Sequence, residues 1–423
     1  MNETIAAVAT AHGVGSISII RLSGADALSL ALKLTKLTSL VPRYTTLTKI
    51  YAEGELIDEA LLIYFKAPHS FTGEDVVEFQ LHGGLVVANL ILGELIKNGA
   101  RLARAGEFSK RALINGKMDF SKIEAINSLI NAKSEDSVKI IARTMRGDLA
   151  KFANEIRSEL VKTLAFVETS IDYADDDLPA DLLESISQML KQNSAKLGRI
   201  VAISQSRKGL LEGFKIAIVG KPNVGKSSIL NSLLSYERAI ISDEAGTTRD
   251  SIEEALKIGT HLVRIIDTAG IRKNAGKIEQ IGISYSLRAI EEADVILAVF
   301  DASKEADEQD NEILELLKNS QKKIFYVLNK CDLGVKFISP ENPIKICAKQ
   351  GTDEIISNLK TYLDAQETSE ILLNSARQIS SCEAASEAIK RALNLLAESE
   401  LELFAYELNT AIEQISSITK PFE

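Results

Sequence analysis

Residues 214–235 read FKIAIVGKPNVGKSSILNSLLS, and this stretch decides the fold of the middle of the chain. An apolar run is followed by a glycine-rich loop and a helix-like segment, and the loop from Gly220 to Ser227 fits the pattern G-x-x-x-x-G-K-S/T. Glycines at this spacing let main-chain amides face phosphate oxygens, and the N-terminus of the following helix adds the positive end of its dipole. The stretch therefore predicts a nucleoside triphosphate site in a strand–loop–helix unit.

Within this loop we expect Lys226 to contact the β- and γ-phosphates and to assist catalysis, and Ser227 to hold Mg²⁺ through its hydroxyl. The other candidate nucleotide-binding residues of the loop are Asn223, Val224, Gly225 and Ser228.

Further apolar runs alternate with helix-like segments as far as residue 365. These runs are LVRIID (262–267), VILAVF (295–300), IFYVL (324–328) and IKI (344–346). Continuous apolar strands separated by helices are typical of a parallel sheet that helices cover on both faces. Residues 213–365 are therefore predicted to form an α/β P-loop domain of the Ras-like kind.

Two motifs that end strands of this domain predict specificity for guanine. Asn329, Lys330 and Asp332 follow the run IFYVL, where a carboxylate accepts the N1–H and the exocyclic amine of guanine, whereas adenine offers it no matching donors. A wrong base would leave that charge unpaired, which discriminates by about 10⁴ or more. A second motif follows the run IKI, and its backbone is expected to contact the guanine O6; it comprises Cys347, Ala348 and Lys349.

Two loops are predicted to respond to the γ-phosphate. The first loop has the sequence GTTRD (246–250) and lies between the phosphate loop's helix and the run LVRIID. Its Thr248 is placed to bind Mg²⁺ and to act in catalysis, as in a switch loop. At the end of LVRIID, Asp267 is expected to hold the Mg²⁺ shell and Gly270 to sense the γ-phosphate. The remaining candidate GTP-binding residues of these loops are Ser242, Asp243, Glu244, Ala245, Gly246, Thr247, Thr268 and Ala269.

The usual residue that positions the attacking water is missing from its expected place in the sequence. Ile271 follows DTAG where Ras-like enzymes carry a glutamine, so another side chain must position the water. Glu279 is the candidate catalytic carboxylate, and a solvated helix residue is the equally weighted alternative.

Composition limits the remaining possibilities. A chain of 423 residues suggests two to four domains. The sequence contains no apolar run near the ~20 residues needed to span a bilayer, and three cysteines show neither metal-binding spacing nor a disulfide framework. We therefore expect a cytoplasmic protein. A net charge of −10 argues against broad non-specific binding of nucleic acid.

The segments outside the P-loop domain differ in texture. Residues 1–117 mix short β-rich runs with helix-like stretches, which predicts a small α+β domain. Residues 118–212 and 366–423 are periodic, with apolar residues at three- and four-residue steps. The simplest interpretation is one discontinuous all-α domain that carries the P-loop domain as an insertion. Two separate helical bundles would show the same sequence pattern and are the alternative.

With these motifs placed, the chain resembles the tRNA-modification GTPase family known as MnmE or TrmE, over nearly its full length. The shared motifs in the P-loop domain are GKPNVGKSS, AGTTRD and DTAGIR. The more specific ones lie outside it: VGSISIIRLSG (14–24), SFTGEDVVEFQLHGG (70–84) and RAGEFSKRALINGKMDFSKIEAI (104–126).

The resemblance implies cofactors and partners. The N-terminal domain of the family binds a tetrahydrofolate derivative (5-formyl- or methylene-tetrahydrofolate) and forms a homodimer. With an FAD-dependent partner subunit, in an expected heterotetramer, it adds a carboxymethylaminomethyl-type group to the wobble uridine of tRNA. The family's GTP hydrolysis is stimulated by potassium and by pairing of two GTPase domains.

The resemblance also implies roles for particular residues. Arg21, Glu78 and Lys117 would contact the folate, with cations for its glutamate tail and a carboxylate for the pterin. Glu78 alternates with apolar neighbours as on an ordinary half-exposed strand, which is the structural alternative for it. A potassium site would be formed by Asn223, Ser242, Glu244 and Thr247, and its positive charge could replace that of an arginine finger.

The family usually ends in a Cys-Ile/Leu-Gly-Lys segment, whereas this sequence ends in ITKPFE, which suggests a shortened chain or a divergent member. We expect Cys382 to fill a helix interface rather than to replace that thiol. Five cations form a basic cluster that could face tRNA or folate, or simply form a solvated face: Arg101, Arg104, Lys110, Arg111 and Lys117.

The sequence favours a GTP-hydrolysing component of a tRNA wobble-uridine modification complex. The alternative is a GTP-dependent assembly or signalling switch, such as a ribosome-assembly GTPase, which performs no modification chemistry. Such switches usually append an RNA-binding module after the GTPase, whereas here an additional α+β domain precedes it.

Overall fold

The computed structural model describes residues 3–172, 180–236, 254–266, 289–366, 369–397 and 400–420. The chain divides into two compact units, Met1–Ile123 and Glu124–Glu423, which we call unit 1 and unit 2.

Unit 1 is built around a six-stranded sheet. Its strands are β1 (Ile5–Val8), β2 (Ile17–Ser23), β3 (Thr45–Ala52), β4 (Glu55–Phe65), β5 (Val76–His82) and β6 (Arg101–Leu102). The order in the sheet is β3-β4-β5-β2-β1-β6; all neighbours are antiparallel except β1 and β6. Its helices are α1 (Ala27–Thr35), α2 (Leu85–Lys97), α3 (Glu107–Ile114) and the start of α4 (Phe120–Ile130).

One hydrophobic cluster supports this sheet. Buried residues of β2, β4 and β5 alternate with more exposed ones, so that one face of each strand packs against α1 and α2. Unit 1 therefore has the α+β character that its mixed sequence predicts.

Unit 2 contains a second six-stranded sheet. Its strands are β7 (Phe214–Val219), β8 (Glu254–Ile258), β9 (His261–Ile266), β10 (Val295–Asp301), β11 (Lys323–Asn329) and β12 (Ile344–Lys345). The order is β12-β11-β10-β7-β9-β8. In β10, alternate residues enter two different hydrophobic clusters, as expected for a sheet that is covered on both faces.

One edge of this sheet differs from the purely parallel sheet that the apolar runs predict. Strand β8 pairs antiparallel with β9, while the other neighbours are parallel. Only two residues, Gly259 and Thr260, connect β8 to β9, and so short a connection permits only an antiparallel hairpin. Gly259 has a φ of +63°, which suits such a turn.

The remaining helices of unit 2 lie before, within and after the sheet in sequence. They are α5 (Glu135–Met145), α6 (Asp148–Asp172), α7 (Ala180–Ser206), α8 (Lys208–Glu212), α9 (Lys226–Tyr236), α10 (Glu308–Lys318), α11 (Asp353–Asp364), α12 (Ala376–Ala397) and α13 (Leu401–Thr419). The short helix α8 lies between α7 and β7, where the periodic segment 118–212 ends. None of the described helices has the length and apolar character needed to cross a membrane.

Helices from both sides of the sheet in sequence share one hydrophobic cluster. Helices α6 and α7 precede the sheet, α12 and α13 follow it, and all four contribute buried residues to this cluster. Arg377 of α12 also binds Glu124 of α4 through two nitrogens at 3.0 and 2.7 Å. The two periodic segments therefore pack together rather than forming separate cores.

A further contact joins α5 to the second sheet. His261 is fully buried, and its two ring nitrogens lie 2.6 Å from Asp136 Oδ2 and 2.9 Å from Asp364 Oδ1. Thr260 donates to the same oxygen of Asp136 at 3.2 Å. The β8–β9 hairpin is thereby tied to a helix that lies more than 100 residues earlier in sequence.

Cys382 tests the packing of the helical cluster directly. It is fully buried, and burial raises the pKa of its thiol to about 12. We predict that iodoacetamide at pH 8 leaves Cys382 unmodified in the native protein and modifies it after unfolding, because the thiolate is the nucleophile. Half-buried Cys347 serves as the internal reference, read by mass spectrometry of the peptides. Native labelling of Cys382 as fast as that of Cys347 would contradict this packing.

Candidate functional site

The predicted phosphate loop connects β7 to α9. Gly220, Asn223 and Gly225 all have positive φ values, of 155°, 66° and 103°. A β-carbon on Gly220 would lie 2.3 Å from the carbonyl oxygen of Val299, and one on Gly225 would lie 2.1 Å from Asn329 Nδ2. Both glycines are therefore required by close approach as well as by backbone conformation.

Lys226 lies at the start of α9 with its ammonium group inside this loop. Its Nζ donates to the carbonyl oxygens of Gly220 and Lys221, at 2.7 and 2.8 Å. Burial lowers the pKa of Lys226 to about 8, because these carbonyls do not supply the negative charge that would offset desolvation. The oxygens of a β- or γ-phosphate would supply that charge.

Asn329 connects the phosphate loop to the segment from Cys347 to Lys349, which is predicted to contact the base and is called the base-binding loop below. Its Nδ2 donates to the carbonyl oxygen of Val224 at 2.8 Å, and its Oδ1 accepts from the amide of Ala348 at 2.9 Å. The side chain is almost fully buried at the end of β11. One amide group thus fixes the distance between two loops that are more than 100 residues apart.

Lys330 makes a second connection to the phosphate loop. It has a φ of +64°, and its Nζ lies 2.7 Å from the carbonyl oxygen of Asn223 and 2.7 Å from Asp301 Oδ2. Burial alone would raise the pKa of Asp301, but hydrogen bonds from Lys330 and Ser303 outweigh it and hold that pKa below its usual value. Asp301 is therefore a charged anchor for Lys330.

Sequence reasoning missed Asp301 and the partners of Lys221. The run VILAVF ends at Asp301, and carboxyl ends of neighbouring parallel strands meet at one edge, so strand order would have revealed it. Lys221 of the loop pairs with Asp307 and Asp310, each at 2.6 Å, at the start of α10. No local sequence signal marks this second pairing.

The predicted guanine contacts directly follow the carboxyl ends of two neighbouring strands, β11 and β12. Asp332 is exposed on a 3₁₀ turn, Cys331–Leu333, directly after β11. Cys347, Ala348 and Lys349 follow β12, and the carbonyl of Cys347 accepts from the amide of Gln350 at 2.8 Å. Because the amide of Ala348 already donates to Asn329, a contact from it to guanine O6 would require that hydrogen bond to be shared or released.

The other predicted residues of the site fall into two groups. Ser227 and Ser228 are exposed in the first turn of α9, as a metal ligand and its neighbour should be. The following lie outside the described residues: Ser242, Asp243, Glu244, Ala245, Gly246, Thr247, Thr248, Asp267, Thr268, Ala269, Gly270 and Glu279.

In unit 1 the structure brings the candidate folate residues together. Arg21 and Glu78 face each other on β2 and β5, with Arg21 Nη2 2.7 Å from Glu78 Oε1. The Arg21 guanidinium carbon lies 5.0 Å from the ring centre of Phe71 and 5.7 Å from that of Phe108. The exposed side chain of Lys117 packs against Gly73, two residues after Phe71.

The predicted basic cluster is wrong in one respect. Arg111 does not belong to a solvated face: it is almost fully buried and binds Glu74 at 2.9 Å and Glu107 at 3.1 Å. Arg101 pairs with Glu3 as well as with Glu107. Glu3 and Glu74 are distant in sequence, and only the fold brings them to the cluster.

Replacing Asn329 tests the connection between the two loops. We predict that Asn329→Ala weakens GDP binding about 10- to 100-fold, because the two loops lose a pair of hydrogen bonds that hold them at binding distance, each worth about 1 kcal/mol net. Asn329→Asp is the matched variant, since it keeps the acceptor for Ala348 and loses the donor to Val224. Titration calorimetry with Mg²⁺ measures both, and wild-type affinity in Asn329→Ala would refute the bridging role.

Two family models match the chain. The model described as "GTP-binding protein TrmE N-terminus" matches residues 4–117, and the model described as "MnmE helical domain" matches residues 120–423. Together they account for nearly all of both units.

Curated relatives align over the whole chain. A "tRNA modification GTPase MnmE" of Campylobacter curvus is 68% identical over 100% of this chain and 95% of its own length. Proteins of the same description from Campylobacter jejuni (strain RM1221) and Sulfurimonas denitrificans are 59% and 53% identical, each over 100% of this chain and 96% of their own length.

Solved structures match a smaller part. Era in complex with MgGDPNP and a segment of 16S ribosomal RNA aligns with 41% of this chain and 66% of its own, at 27% identity and a TM-score of 0.28. The FeoB G-domain of Methanococcus jannaschii aligns with 36% of this chain and 96% of its own, at 22% identity and a TM-score of 0.26.

The family models cover both units, and relatives more than 50% identical align from end to end. The chain belongs to the MnmE family of tRNA modification GTPases.

Proposed function

We propose that this protein hydrolyses GTP as a component of a tRNA wobble-uridine modification complex. The observation that carries the proposal is the end-to-end identity with curated tRNA modification GTPases, together with a phosphate loop held to a base-binding loop by Asn329. The relatives supply the biological role, and the loop geometry supports nucleotide binding by this chain's own residues.

The proposed nucleotide site uses main-chain amides for the phosphates and Asp332 for the base. The loop from Gly220 to Ser227 would enclose the phosphates, with Lys226 exchanging its two carbonyl partners for phosphate oxygens. Asp332 would accept from guanine while Asn329 and Lys330 hold the loops in place. The glycines at positions 220 and 225 support this arrangement, because a side chain at either position would clash with Val299 or Asn329.

Mg²⁺ and K⁺ would complete the charge balance. The exposed Ser227 fits a Mg²⁺ ligand, with Thr248 and Asp267 as the proposed partners in the switch loops. Asn223, on the left-handed turn of the loop, would bind K⁺ with Ser242, Glu244 and Thr247. Bound cations supply positive charge to the transferring phosphoryl group, and Glu279 remains the proposed residue that orients water.

Unit 1 would bind a tetrahydrofolate derivative. The Arg21–Glu78 pair, flanked by two aromatic rings, offers a carboxylate for the donors of a pterin and a surface on which a flat ring can stack. Lys117, whose side chain packs against Gly73, would contact the carboxylate end of the ligand. The ligand would be 5-formyl- or methylene-tetrahydrofolate, as a one-carbon donor.

The proposed assembly is a homodimer that works with an FAD-dependent partner subunit and tRNA in the cytoplasm. We further propose the domain bounds 1–117, 118–212, 213–365 and 366–423, with the second and fourth forming one helical domain. The helical cluster shared by α6, α7, α12 and α13 supports that last point. The ribosome-assembly alternative is disfavoured by the match of the N-terminal family model to residues 4–117.

The role of Asp332 predicts a change of base preference. Asp332→Asn is expected to lose guanine selectivity by about 10²-fold or more and to favour xanthine, whose altered edge suits an amide. The control is Asp353→Asn, which makes the same chemical change at an exposed residue at the start of α11. Competition between GTP and XTP for a labelled nucleotide reports the preference, and an unchanged ratio would mean that the base site lies elsewhere.

The proposed potassium site predicts salt-specific hydrolysis. GTP turnover should be at least about tenfold faster in KCl than in NaCl at equal ionic strength, because a correctly placed cation stabilises transition-state charge. Asn223→Ala should remove the difference, whereas Asn231→Ala, exposed on α9, should keep it. Equal rates of the wild-type protein in the two salts would eliminate the potassium assignment.

Complementation tests the biological role as a whole. Expression in a strain that lacks its own modification enzyme should restore the modified wobble nucleoside, measured by mass spectrometry of tRNA digests. Lys226→Ala should not restore it, because the phosphate site loses its cation. Unmodified wobble uridine in the presence of a stably produced, GTP-hydrolysing protein would contradict the proposed role.

A further inference from the structure

Unit 1 contains a charged cavity that the nucleotide and pterin sites do not use. It has a volume of about 470 Å³, and its charged lining consists of Glu3, Arg101, Arg104, Glu107, Lys110 and Arg111. Four cations therefore face two carboxylates. Glu74, which pairs with Arg111 from outside this lining, is a third carboxylate, so one positive charge in excess is left for solvent ions or a ligand.

Two of the four cations are already neutralised by carboxylates. Arg101 binds Glu3 at 2.7 Å and Glu107 at 2.6 Å, and Arg111 binds Glu74 and Glu107. The hydrogen bonds from Arg101 lower the pKa of Glu107 to about 2, so this carboxylate stays ionised at neutral pH. The pairs fix the walls of the cavity.

The other two cations remain available. Arg104 and Lys110 are exposed at the cavity, and their side chains have no hydrogen-bond or ion-pair partner among the residues that the structure describes. Arg111 is 2% exposed, and its Nε also lacks a partner within that part of the chain. The positive charge available to a ligand in the cavity is therefore that of Arg104 and Lys110.

The cavity adjoins the candidate folate residues. Phe108, whose ring lies 5.7 Å from the Arg21 guanidinium carbon, is three residues before Arg111 on α3. Side chains three apart on a helix are neighbours, with about 5–6 Å between their β-carbons. Glu74, which binds Arg111, also accepts from Ser23 at 2.7 Å, and Ser23 follows Arg21 by two residues on the same face of β2.

We infer that this cavity binds the γ-linked glutamate carboxylates of a polyglutamylated tetrahydrofolate, with Arg104 and Lys110 as the principal contacts. The inference rests on the proposed folate site, whose ring end lies at Arg21 and Glu78. Each added glutamate brings one more carboxylate, and guanidinium and ammonium groups bind carboxylates through charge-assisted hydrogen bonds. The cavity lies beside Phe108 and Glu74, which also contact Arg21 and Ser23 of β2, and this position favours the tail of a folate over an RNA backbone.

The test compares (6S)-5-formyltetrahydrofolate carrying one glutamate with the same compound carrying three. Equilibrium dialysis with the full chain should show about tenfold tighter binding of the triglutamate at low salt, with the gain falling as salt screens exposed charges. The double variant Arg104→Ala/Lys110→Ala should retain monoglutamate binding and lose most of the gain. Lys49→Ala is the control, because Lys49 is exposed on β3 at the opposite edge of the sheet. Thermal melting followed by circular dichroism verifies that each variant is folded.

The outcomes separate the inference from the proposed function. Equal affinity for the two compounds in the wild-type protein would overturn the tail site and leave folate binding intact. Failure of both compounds to bind would overturn the folate proposal itself, and loss of monoglutamate binding in Arg21→Ala would support it. If the double variant weakened tRNA binding but kept the triglutamate gain, the cavity would be an RNA phosphate site and the inference would be wrong.

Discussion

The proposed nucleotide site depends on one buried side-chain amide, that of Asn329. Asn329, at the end of β11, holds the phosphate loop through Val224 and the base-binding loop through Ala348. The Nδ2 of the same side chain lies 2.1 Å from the position that a β-carbon on Gly225 would take, so the glycine and the asparagine are required together. Lys330 adds a charged connection from Asp301 to Asn223. These contacts set the spacing between the two loops that are proposed to hold the phosphates and the base.

Much of this arrangement could be predicted from the sequence because its signals are local. The strand before Gly220, the glycine spacing and the helix after Ser227 lie within 22 consecutive residues. The apolar runs located five strands of the sheet in unit 2 correctly. The missed strand β8, with the sequence EALKI, has a glutamate and a lysine among its five residues, so no continuous apolar run marks it.

The interactions that escaped prediction are pairings over long sequence separations. The sequence predicts Arg111 as a member of a basic surface cluster. In the folded chain it is buried and donates to the carboxylate of Glu74 and to the carbonyl oxygen of Glu3. His261 between Asp136 and Asp364 joins three elements in the same way. Single residues of these types occur throughout the sequence, and only the strand order and helix packing reveal which of them meet.

The account's central claim is that this site holds a guanosine nucleotide by its phosphates and checks its base. Titration calorimetry of the full chain, with Mg²⁺ present, compares GDP and ADP most directly. The account predicts a clear heat of binding for GDP and an affinity for ADP lower by about 10⁴-fold or more. Equal affinities for the two nucleotides, or no detectable binding of GDP, would contradict it.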